Sequence, residues 1–325
     1  MIHKIPILRN IALNHMIKKY EAFPELLSIE VTNACNSKCI MCPRANLTRK
    51  IRHMSADIFN KIIEDCRRMP LKKINLFWFG DPLCAPSIID YMRRIRTALP
   101  GVKLYISTNA ELLTPERTDA ILSEKLLDVI NFDIDGMEKN TYEKIRIGVD
   151  FDRVIENVEY FMSARKKLGL KSPQTRVTII KMDLTAGEID RFVAKWSKIA
   201  DKTDVNDYNT WLGTQKERNV GDALQRSESG RFTYPCLHPW NEMVIASDGN
   251  AGLCCLDYDL TAKLGNVRHE SIHEIWHGAE LKKFRNEIIK LNYSGISCCS
   301  RCNAHIYQDN STWAHLWRKR LRTAV

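Results

Sequence analysis

The chain lacks any apolar run that approaches the roughly 20 residues needed to cross a bilayer. Its longest apolar stretch near the N-terminus is Ile5–Leu8, which contains a proline and is followed by Arg9, so the apolar core of a signal peptide is missing. Internal repeats, heptad arrays and low-complexity segments are also missing. With 44% hydrophobic and 27% charged residues, the composition is that of a globular protein. The length of 325 residues allows one large domain and one small domain. We therefore predict a cytoplasmic protein.

Cysteine, in contrast, is abundant, with 11 residues. In a reducing compartment, a cysteine-rich protein more often binds metal or uses its thiols chemically than forms disulfides. Scattered core cysteines would not bunch along the chain as these do. The clustered positions are Cys35, Cys39, Cys42, Cys254, Cys255, Cys298, Cys299 and Cys302. The clustering favours metal binding.

The net charge of +10 has two interpretations. A basic surface raises the local concentration of anionic partners, but it is equally typical of a solvated exterior. The excess lies in local runs such as Arg67–Lys73 and Arg318–Arg322. No regular aromatic interleaving accompanies these runs, so a groove for single-stranded nucleic acid is not indicated.

From Leu26 onward, strand and helix patterns alternate. Amphipathic segments between the strands predict helices, and Ser55 is suited to cap one that runs to Cys66. Short apolar strands alternating with helices favour a parallel sheet. Six such strands fit an α/β fold, a partial (βα)6 barrel, whose chemistry lies at the carboxyl ends of the strands. The predicted strands are Leu26–Thr32, Ile74–Trp78, Lys103–Thr108, Val129–Asp133, Thr175–Lys181 and Asp204–Tyr208.

The pattern changes near residue 209. Asn209–Phe232 is polar and contains three glycines, which is typical of a linker. Beyond it, Asp248-Gly249 between two apolar runs predicts a hairpin, and the cysteines up to Cys302 predict a small, metal-stabilised α+β domain. The predicted organisation is an N-terminal helical extension over 1–25, the barrel over 26–208, a linker over 209–235, the small domain over 236–310 and a basic tail over 311–325.

Cys35, Cys39 and Cys42 form a CxxxCxxC run directly after the first predicted strand. Three thiolates on one loop can hold three irons of a 4Fe–4S cube and leave the fourth iron open to another ligand. Structural zinc is the alternative, but it prefers four protein ligands, and no histidine follows Cys42 before His53. A loop after the first barrel strand is also an active-site position. The run therefore favours an iron–sulfur cluster.

This run resembles the signature of the radical S-adenosylmethionine (SAM) superfamily, in which SAM chelates the open iron. Gly80–Leu83 resembles that family's Gly-Gly-Glu segment, and Ser107–Asn109 resembles its Thr-Asn-Gly. Asp133–Gly136 with Tyr142–Arg146 is similar to its Asp-Gly…Tyr-Glu-x-x-Arg stretch. The resemblance implies that the three cysteines are catalytic and hold the first cluster. It implies SAM contacts from Met41, Gly80, Asp81, Pro82, Ser107, Asn109, Asp133, Asp135 and Arg146.

Two positions depart from the family pattern. Met41 replaces the usual aromatic residue before the last cysteine, so packing against adenine would be aliphatic. Asp81 replaces a glutamate and is one methylene shorter, which weakens the expected SAM contact. Neither change removes a thiolate.

A second set of cysteines, Cys236, Cys254, Cys299 and Cys302, matches the pattern of SPASM domains and of their shortened twitch form. A full SPASM domain carries further cysteines for a second auxiliary cluster, and here there is one C-terminal CxxC. The resemblance therefore implies one auxiliary 4Fe–4S cluster with four cysteine ligands, and two clusters in all. Zinc in the same thiolates is the alternative. A swap of Cys255 or Cys298 for the neighbouring ligand also stays open.

By this resemblance the chain is a radical SAM oxidoreductase that cleaves SAM to a 5′-deoxyadenosyl radical and abstracts hydrogen from its substrate. The auxiliary cluster would accept the electron left on the substrate radical, giving a dehydrogenation or related oxidation. Alternatively, this cluster only stabilises the module that caps the barrel. Single-cluster modules resemble those of dehydrogenases acting on cyclitols or sugars, so we expect a small polar metabolite of natural-product biosynthesis. Flavodoxin or ferredoxin would donate electrons, and neither a membrane nor nucleic acid is expected as partner.

Two alternatives stay open at this stage. One is a maturase that modifies a ribosomally synthesised peptide, although fewer than 30 residues precede the first strand for a leader-binding domain. The other is a non-catalytic, zinc-stabilised, basic protein that binds nucleic acid. For the enzyme, four basic residues after the cysteine loop are expected to meet a phosphate or carboxylate of the substrate, with a solvated surface as the alternative. They are Arg44, Arg49, Lys50 and Arg52.

Overall fold

A computed structural model describes residues 17–18, 21–222, 224 and 235–302. The predicted extension over 1–25 lies largely outside these residues, and the predicted tail over 311–325 lies wholly outside them. Within the described ranges, no helix is long and apolar enough to cross a membrane.

The strands and helices alternate as the sequence predicts. In chain order the strands are β1 (Leu26–Ile29), β2 (Lys38–Cys39), β3 (Lys73–Asn75), β4 (Lys103–Thr108), β5 (Val129–Asp133), β6 (Arg146–Ile147), β7 (Gln174–Lys181), β8 (Lys202–Asp207), β9 (Glu242–Ile245), β10 (Asn250–Gly252) and β11 (Lys263–Asn266). The helices are α1 (Ala56–Cys66), α2 (Ile88–Ala98), α3 (Pro115–Ser123), α4 (Lys139–Ile145), α5 (Phe151–Lys167), α6 (Ile189–Trp196), α7 (His238–Asn241), α8 (Ile272–Trp276) and α9 (Ala279–Ile289).

A local sequence signal determines where helix α1 begins. Ser55 caps α1 by accepting a hydrogen bond from the backbone N–H of Ile58, as its position before an amphipathic run predicts. The apolar stripe of α1 is buried, and Phe59 stacks on Tyr91 of α2 with ring centroids 3.9 Å apart. Each such fully buried large apolar side chain contributes about 1.5–3 kcal/mol relative to exposure.

Six parallel strands form the barrel sheet in the order β1-β3-β4-β5-β7-β8. This confirms the predicted α/β fold with a partial barrel. Two predicted strands are too long, because β1 ends at Ile29 and β3 at Asn75. After Ile29 the chain leaves the sheet and enters the cysteine loop, where the Thr32 hydroxyl donates to the Arg52 carbonyl oxygen instead.

The C-terminal segment continues this sheet. A hairpin turns at Gly249, where φ is +89°, and joins β9 to β10 as Asp248-Gly249 predicts. β11 pairs with β10, and β9 pairs in parallel with β1 over its whole length. The sequence predicts a small α+β domain after the barrel, but it does not predict that this domain shares a strand edge with β1. The described chain therefore has one nine-stranded sheet in the order β11-β10-β9-β1-β3-β4-β5-β7-β8.

A short ribbon not predicted from the sequence lies over the cysteine loop. β2 pairs antiparallel with β6, so that Cys39 lies opposite Arg146. The backbone N–H of Ile40 donates to the Ile145 carbonyl oxygen at 3.0 Å and extends the contact. The ribbon fixes the middle cysteine of the loop to the chain that follows β5.

Candidate active site

A cavity of about 580 Å³ opens where the barrel strands end at their carboxyl termini. Its lining comes from the cysteine loop, from the ends of the strands and from the segment after β8. The residues are Cys35, Ser37, Lys38, Cys39, Met41, Cys42, Arg44, Ala45, Trp78, Phe79, Gly80, Asp81, Ser107, Thr108, Asn109, Asp133, Arg146, Ile180, Asn206, Asp207, Tyr208, Asn209 and Trp211. Most of the predicted SAM contacts lie here, but Pro82 and Asp135 do not line the cavity.

Side-chain hydrogen bonds shape the cysteine loop. Arg44 Nε donates to the Asn33 carbonyl oxygen at 2.9 Å, and its Nη1 donates to the Ser37 carbonyl oxygen at 3.2 Å. Ser37 Oγ lies 3.4 Å from Cys35 Sγ and 3.1 Å from Cys39 Sγ. Arg44 therefore lines the cavity while its guanidinium holds the loop backbone.

A buried ion pair stands behind the loop. Arg146 Nη2 lies 2.7 Å from Asp135 Oδ2, and Arg146 Nη1 lies 3.8 Å from Cys39 Sγ. Burial raises the pKa of the Cys39 thiol, and the nearby Arg146 guanidinium opposes that rise. Arg146 thus places positive charge beside the predicted ligand, while Asp135 contributes by holding Arg146.

The donor set of this loop fits an iron–sulfur cluster. Three soft sulfur donors face one cavity, and burial raises the pKa of Cys42 to about 11. A thiol with such a pKa becomes a thiolate at neutral pH when a metal replaces its proton. The adjacent guanidinium suits an anionic thiolate–iron unit, so the residues present fit the cluster.

Gly80 brings the second loop against the cysteine loop. Its φ is +85°, and a Cβ there would lie 2.5 Å from the Ala34 carbonyl oxygen and 2.7 Å from that of Thr32. The backbone N–H of Asp81 donates to the same Ala34 oxygen at 3.0 Å. Only glycine allows this approach without moving backbone.

Replacement of Gly80 by alanine is expected to destabilise the cysteine loop by about 1–3 kcal/mol, because the new Cβ meets backbone atoms at a strained φ. Anaerobic iron analysis should show preferential loss of the iron held by this loop. Gly101→Ala is the matched control, because its Cβ would meet nothing within 4 Å. Equal iron contents in the two variants would contradict the packing argument.

The carboxylate of Asp81 accepts its hydrogen bonds from other groups of the protein. Its carboxylate accepts hydrogen bonds from the backbone N–H groups of Leu83 and Asn109 and from the Thr108 hydroxyl, all at 2.8–3.0 Å. It is buried, and burial raises its pKa against the effect of these donors. The Asp81 side chain therefore links the loop after β3 to the end of β4.

Asp133 at the end of β5 faces the cavity within a polar network. It accepts hydrogen bonds from Ser107 Oγ at 2.8 Å and from Asn131 Nδ2 at 2.6 Å. Burial raises the pKa of Asp133 to about 6. Asn109 lies on the same rim, where its Nδ2 donates to Asn36 Oδ1 at 2.9 Å.

Sequence reasoning missed the aromatic wall of the cavity. Trp78 and Phe79 follow β3, and Trp211 comes from the segment that the sequence identifies as a linker. Phe79 contacts Trp211 edge-on, with ring centroids 5.4 Å apart. From the same segment, Gln215 Nε2 donates to the Cys42 carbonyl oxygen at 3.3 Å. Adjacent aromatic residues at the carboxyl end of a predicted strand were the available signal for part of this wall.

The prediction that Arg49 meets substrate is wrong. Arg49 forms a bidentate ion pair with Glu30 at 2.9 and 2.8 Å, and its Nε donates to the Tyr258 carbonyl oxygen. Its side chain is 10% exposed and that of Glu30 is fully buried. The buried carboxylate of Glu30 requires a cation, and this requirement places Arg49 at the contact between β1 and the C-terminal segment.

A second cysteine cluster lies in the C-terminal segment. Its small pocket is lined by Cys236, Cys254, Cys298, Cys299 and Cys302, together with His238 and Tyr293, but Cys255 does not line it. The backbone N–H of Cys236 donates to the Tyr293 hydroxyl at 3.0 Å. The four predicted auxiliary ligands thus converge, and Cys298 lies beside them with its Sγ 3.8 Å from that of Cys299.

One hydrogen bond joins the two sites. Trp78 Nε1 donates to the Cys255 carbonyl oxygen at 2.6 Å. Trp78 lines the cavity, and Cys255 follows Cys254 of the auxiliary pocket. The cavity wall is therefore bonded directly to the backbone that carries the second cysteine cluster.

Comparison with known protein families covers both sites. Residues 29–182 match the radical SAM superfamily, and residues 236–303 match the SPASM iron–sulfur cluster-binding domain. A cofactor-modifying protein for tungsten-containing aldehyde ferredoxin oxidoreductase from Pyrococcus furiosus is 30% identical over 159 residues. The match covers 47% of this chain and 43% of that protein.

Solved structures share the fold. SuiB of Streptococcus suis bound to precursor peptide SuiA superposes with a TM-score of 0.66 at 16% identity, over 96% of this chain and 77% of SuiB. BtrN in complex with AdoMet and 2-DOIA gives a TM-score of 0.57 at 16% identity, over 86% of this chain and 93% of BtrN. Both family matches fall on the cysteine sets described above, and these domains indicate SAM and 4Fe–4S clusters as cofactors. The chain belongs to the radical SAM superfamily and carries a C-terminal SPASM domain.

Proposed function

We propose that this protein is a radical SAM oxidoreductase that removes hydrogen from a small polar metabolite, such as a sugar or cyclitol, with the help of one auxiliary 4Fe–4S cluster. The observation that carries the proposal is the hydrogen bond from the cavity wall to the backbone next to an auxiliary-site cysteine. Trp78 lines the cavity and donates to the backbone of Cys255, next to Cys254. A cavity joined in this way to a second redox site suits an oxidation in which an electron leaves the substrate.

When bound, SAM and the cluster on Cys35, Cys39 and Cys42 supply a 5′-deoxyadenosyl radical by one-electron reductive cleavage. The protein's part is to orient the reacting groups and exclude water. Arg146 holds positive charge beside Cys39, and Asp81 ties the ends of β3 and β4 so that the Gly80 backbone stays against the cysteine loop. Ser107, Asn109 and Asp133 supply polar groups on the rim where we place SAM.

The remaining cavity wall supports a polar ring-shaped substrate. Trp78, Phe79 and Trp211 offer flat apolar faces, and Asn206 and Asn209 at the end of β8 offer amide groups. Aromatic faces can cover the C–H face of a sugar or cyclitol, while amides bond its hydroxyls. The segment after residue 208 would then be part of the substrate site as well as the connection to the C-terminal domain.

Cys236, Cys254, Cys299 and Cys302 would hold the auxiliary cluster, which gives two clusters per chain. Cys298 is the neighbour that can replace Cys299, because both line the pocket. An acidic one-electron carrier such as flavodoxin or ferredoxin would reduce the first cluster.

The test begins with the anaerobically reconstituted full-length protein. About eight irons and eight sulfides per chain are expected, four of each per cluster. With dithionite and SAM it should form 5′-deoxyadenosine and methionine. Cyclitols and sugars deuterated at their carbinol carbons are then supplied, and mass spectrometry follows deuterium into 5′-deoxyadenosine.

Transfer of deuterium from a cyclitol or sugar, with the matching ketone formed, is the expected result. One or two zincs without sulfide would overturn the proposal in favour of a non-catalytic protein. SAM cleavage with no deuterium transfer from any of these compounds, but with transfer from a peptide encoded beside the gene, would replace the small metabolite by a peptide.

A further inference from the structure

A buried series of hydrogen-bonded side chains runs from the auxiliary pocket into the barrel sheet. His238 Nδ1 lies 3.1 Å from Glu242 Oε2, and Ser28 Oγ donates to Glu242 Oε1 at 2.8 Å. Asn75 Nδ2 donates to Ser28 Oγ at 3.2 Å. Glu242 and Ser28 are both buried, in the adjacent strands β9 and β1. The sheet therefore fixes the carboxylate, and the carboxylate fixes the imidazole.

Among these hydrogen-bonded residues, His238 is the one that lies next to cysteine sulfur atoms. One of its ring nitrogens and the Sγ atoms of Cys254 and Cys255 all lie within 4.8 Å of one another. His238 also lines the auxiliary pocket, two residues after Cys236. Although burial disfavours the ionised form of Glu242, the hydrogen bond with His238 holds the pKa of that carboxyl below its usual range. A carboxylate hydrogen-bonded to one ring nitrogen of an imidazole fixes the orientation of the ring.

The position of His238 beside cysteine sulfur bears on electron transfer at the auxiliary cluster. Reduction of an iron–sulfur cluster adds one negative charge to the iron–thiolate unit, and hydrogen bonds to the sulfurs are among the features that set its potential. A neighbouring N–H group stabilises the reduced form more than the oxidised form. In a buried site with little water to screen it, the effect of such a neighbour is large.

We propose that His238, oriented by Glu242, acts on the Cys254 sulfur and raises the reduction potential of the auxiliary cluster, making that cluster a better electron acceptor. This inference rests on the proposed auxiliary cluster. In that cluster Cys236, Cys254, Cys299 and Cys302, which line one pocket, would supply one donor for each of the four irons, so His238 would be a neighbour of the cluster and not an iron ligand.

The test uses the full chain with Cys35, Cys39 and Cys42 all replaced by alanine, so that the auxiliary cluster alone is measured. In this background, redox titration followed by electron paramagnetic resonance gives the potential. His238→Leu should retain about four irons per chain. It should lower the equilibrium constant for reduction at least tenfold, which is 59 mV for one electron.

His273→Leu is the matched control, because His273 is exposed on α8 and packs on His277 rather than on the auxiliary pocket. Its potential should equal that of the background protein. Should His238→Leu lose the cluster, His238→Phe keeps a flat ring without any N–H group at the site and is expected to hold the four irons and still lower the potential.

An unchanged potential in a variant that retains its iron overturns the role of His238. Iron loss in both His238 variants also overturns it, since His238 would then be a ligand or a structural residue. Zinc without sulfide in the background protein is a different failure, because it removes the auxiliary cluster of the proposed function itself.

Discussion

Replacement of Cys39 by alanine is expected to abolish reductive SAM cleavage and to leave the auxiliary site intact. Cys39 is the loop cysteine whose sulfur lies 3.8 Å from Arg146 Nη1, so its replacement removes a thiolate and this contact while the backbone pairing of the ribbon remains. Iron should fall from about eight to about four per chain. Iron analysis and chromatography of 5′-deoxyadenosine check the two parts of this expectation.

Cys84→Ala is the matched control for that experiment. Its Sγ lies 3.8 Å from Asn36 Oδ1, close to the cysteine loop, yet Cys84 does not line the cavity. This variant should retain all eight irons and cleave SAM at the wild-type rate. A Cys39→Ala protein that still forms 5′-deoxyadenosine would show that the three-thiol loop is not the catalytic site.

Replacement of Arg49 by alanine is expected to lower the free energy of unfolding by about 3–5 kcal/mol, because it leaves the fully buried Glu30 carboxylate without its cation. Ser247 still donates to Glu30 through its backbone N–H and its hydroxyl, but neither group neutralises the charge. The guanidinium also packs on the Trp78 ring, 4.9 Å from its centroid. Anaerobic denaturation followed by circular dichroism measures the change.

Arg94→Ala provides the comparison, because Arg94 forms an ion pair with Asp90 at 2.8 Å in which both side chains are more than 40% exposed. Its loss should cost less than about 1 kcal/mol. Equal destabilisation in the two variants would mean that burial of Glu30 does not determine the cost. A large rise in the Michaelis constant of Arg49→Ala at unchanged stability would restore the earlier prediction that Arg49 contacts substrate.

The local features of the barrel were predictable because their causes are local. The apolar runs of β4 and β5 have the predicted bounds, Lys103–Thr108 and Val129–Asp133. Ser55 caps α1, as its position before an amphipathic run predicts. The spacing of Cys35, Cys39 and Cys42 lies within a single loop, so no tertiary information is needed to recognise it.

The features that were missed all depend on contacts between distant segments. β9 is parallel to β1 although more than 200 residues separate them, and nothing within Glu242–Ile245 specifies that neighbour. From the sequence alone, Arg49 is expected to be an exposed basic residue, because nothing there shows that Glu30 is buried beside it. Trp211 lies in a polar, glycine-containing stretch that is typical of a linker, yet it lines the cavity. His238 gave a weak signal, because a histidine two residues after a cysteine is common.

The pairing of β1 between β3 and β9 also has a consequence for synthesis on the ribosome. The edge of β1 that receives β9 has no partner until residue 245 has left the exit tunnel, long after the barrel strands have emerged. An open edge of this kind is a template for pairing with other chains. The nascent barrel would therefore depend on chaperones or rapid elongation, and a chain truncated after β8 should aggregate rather than accumulate as a soluble barrel.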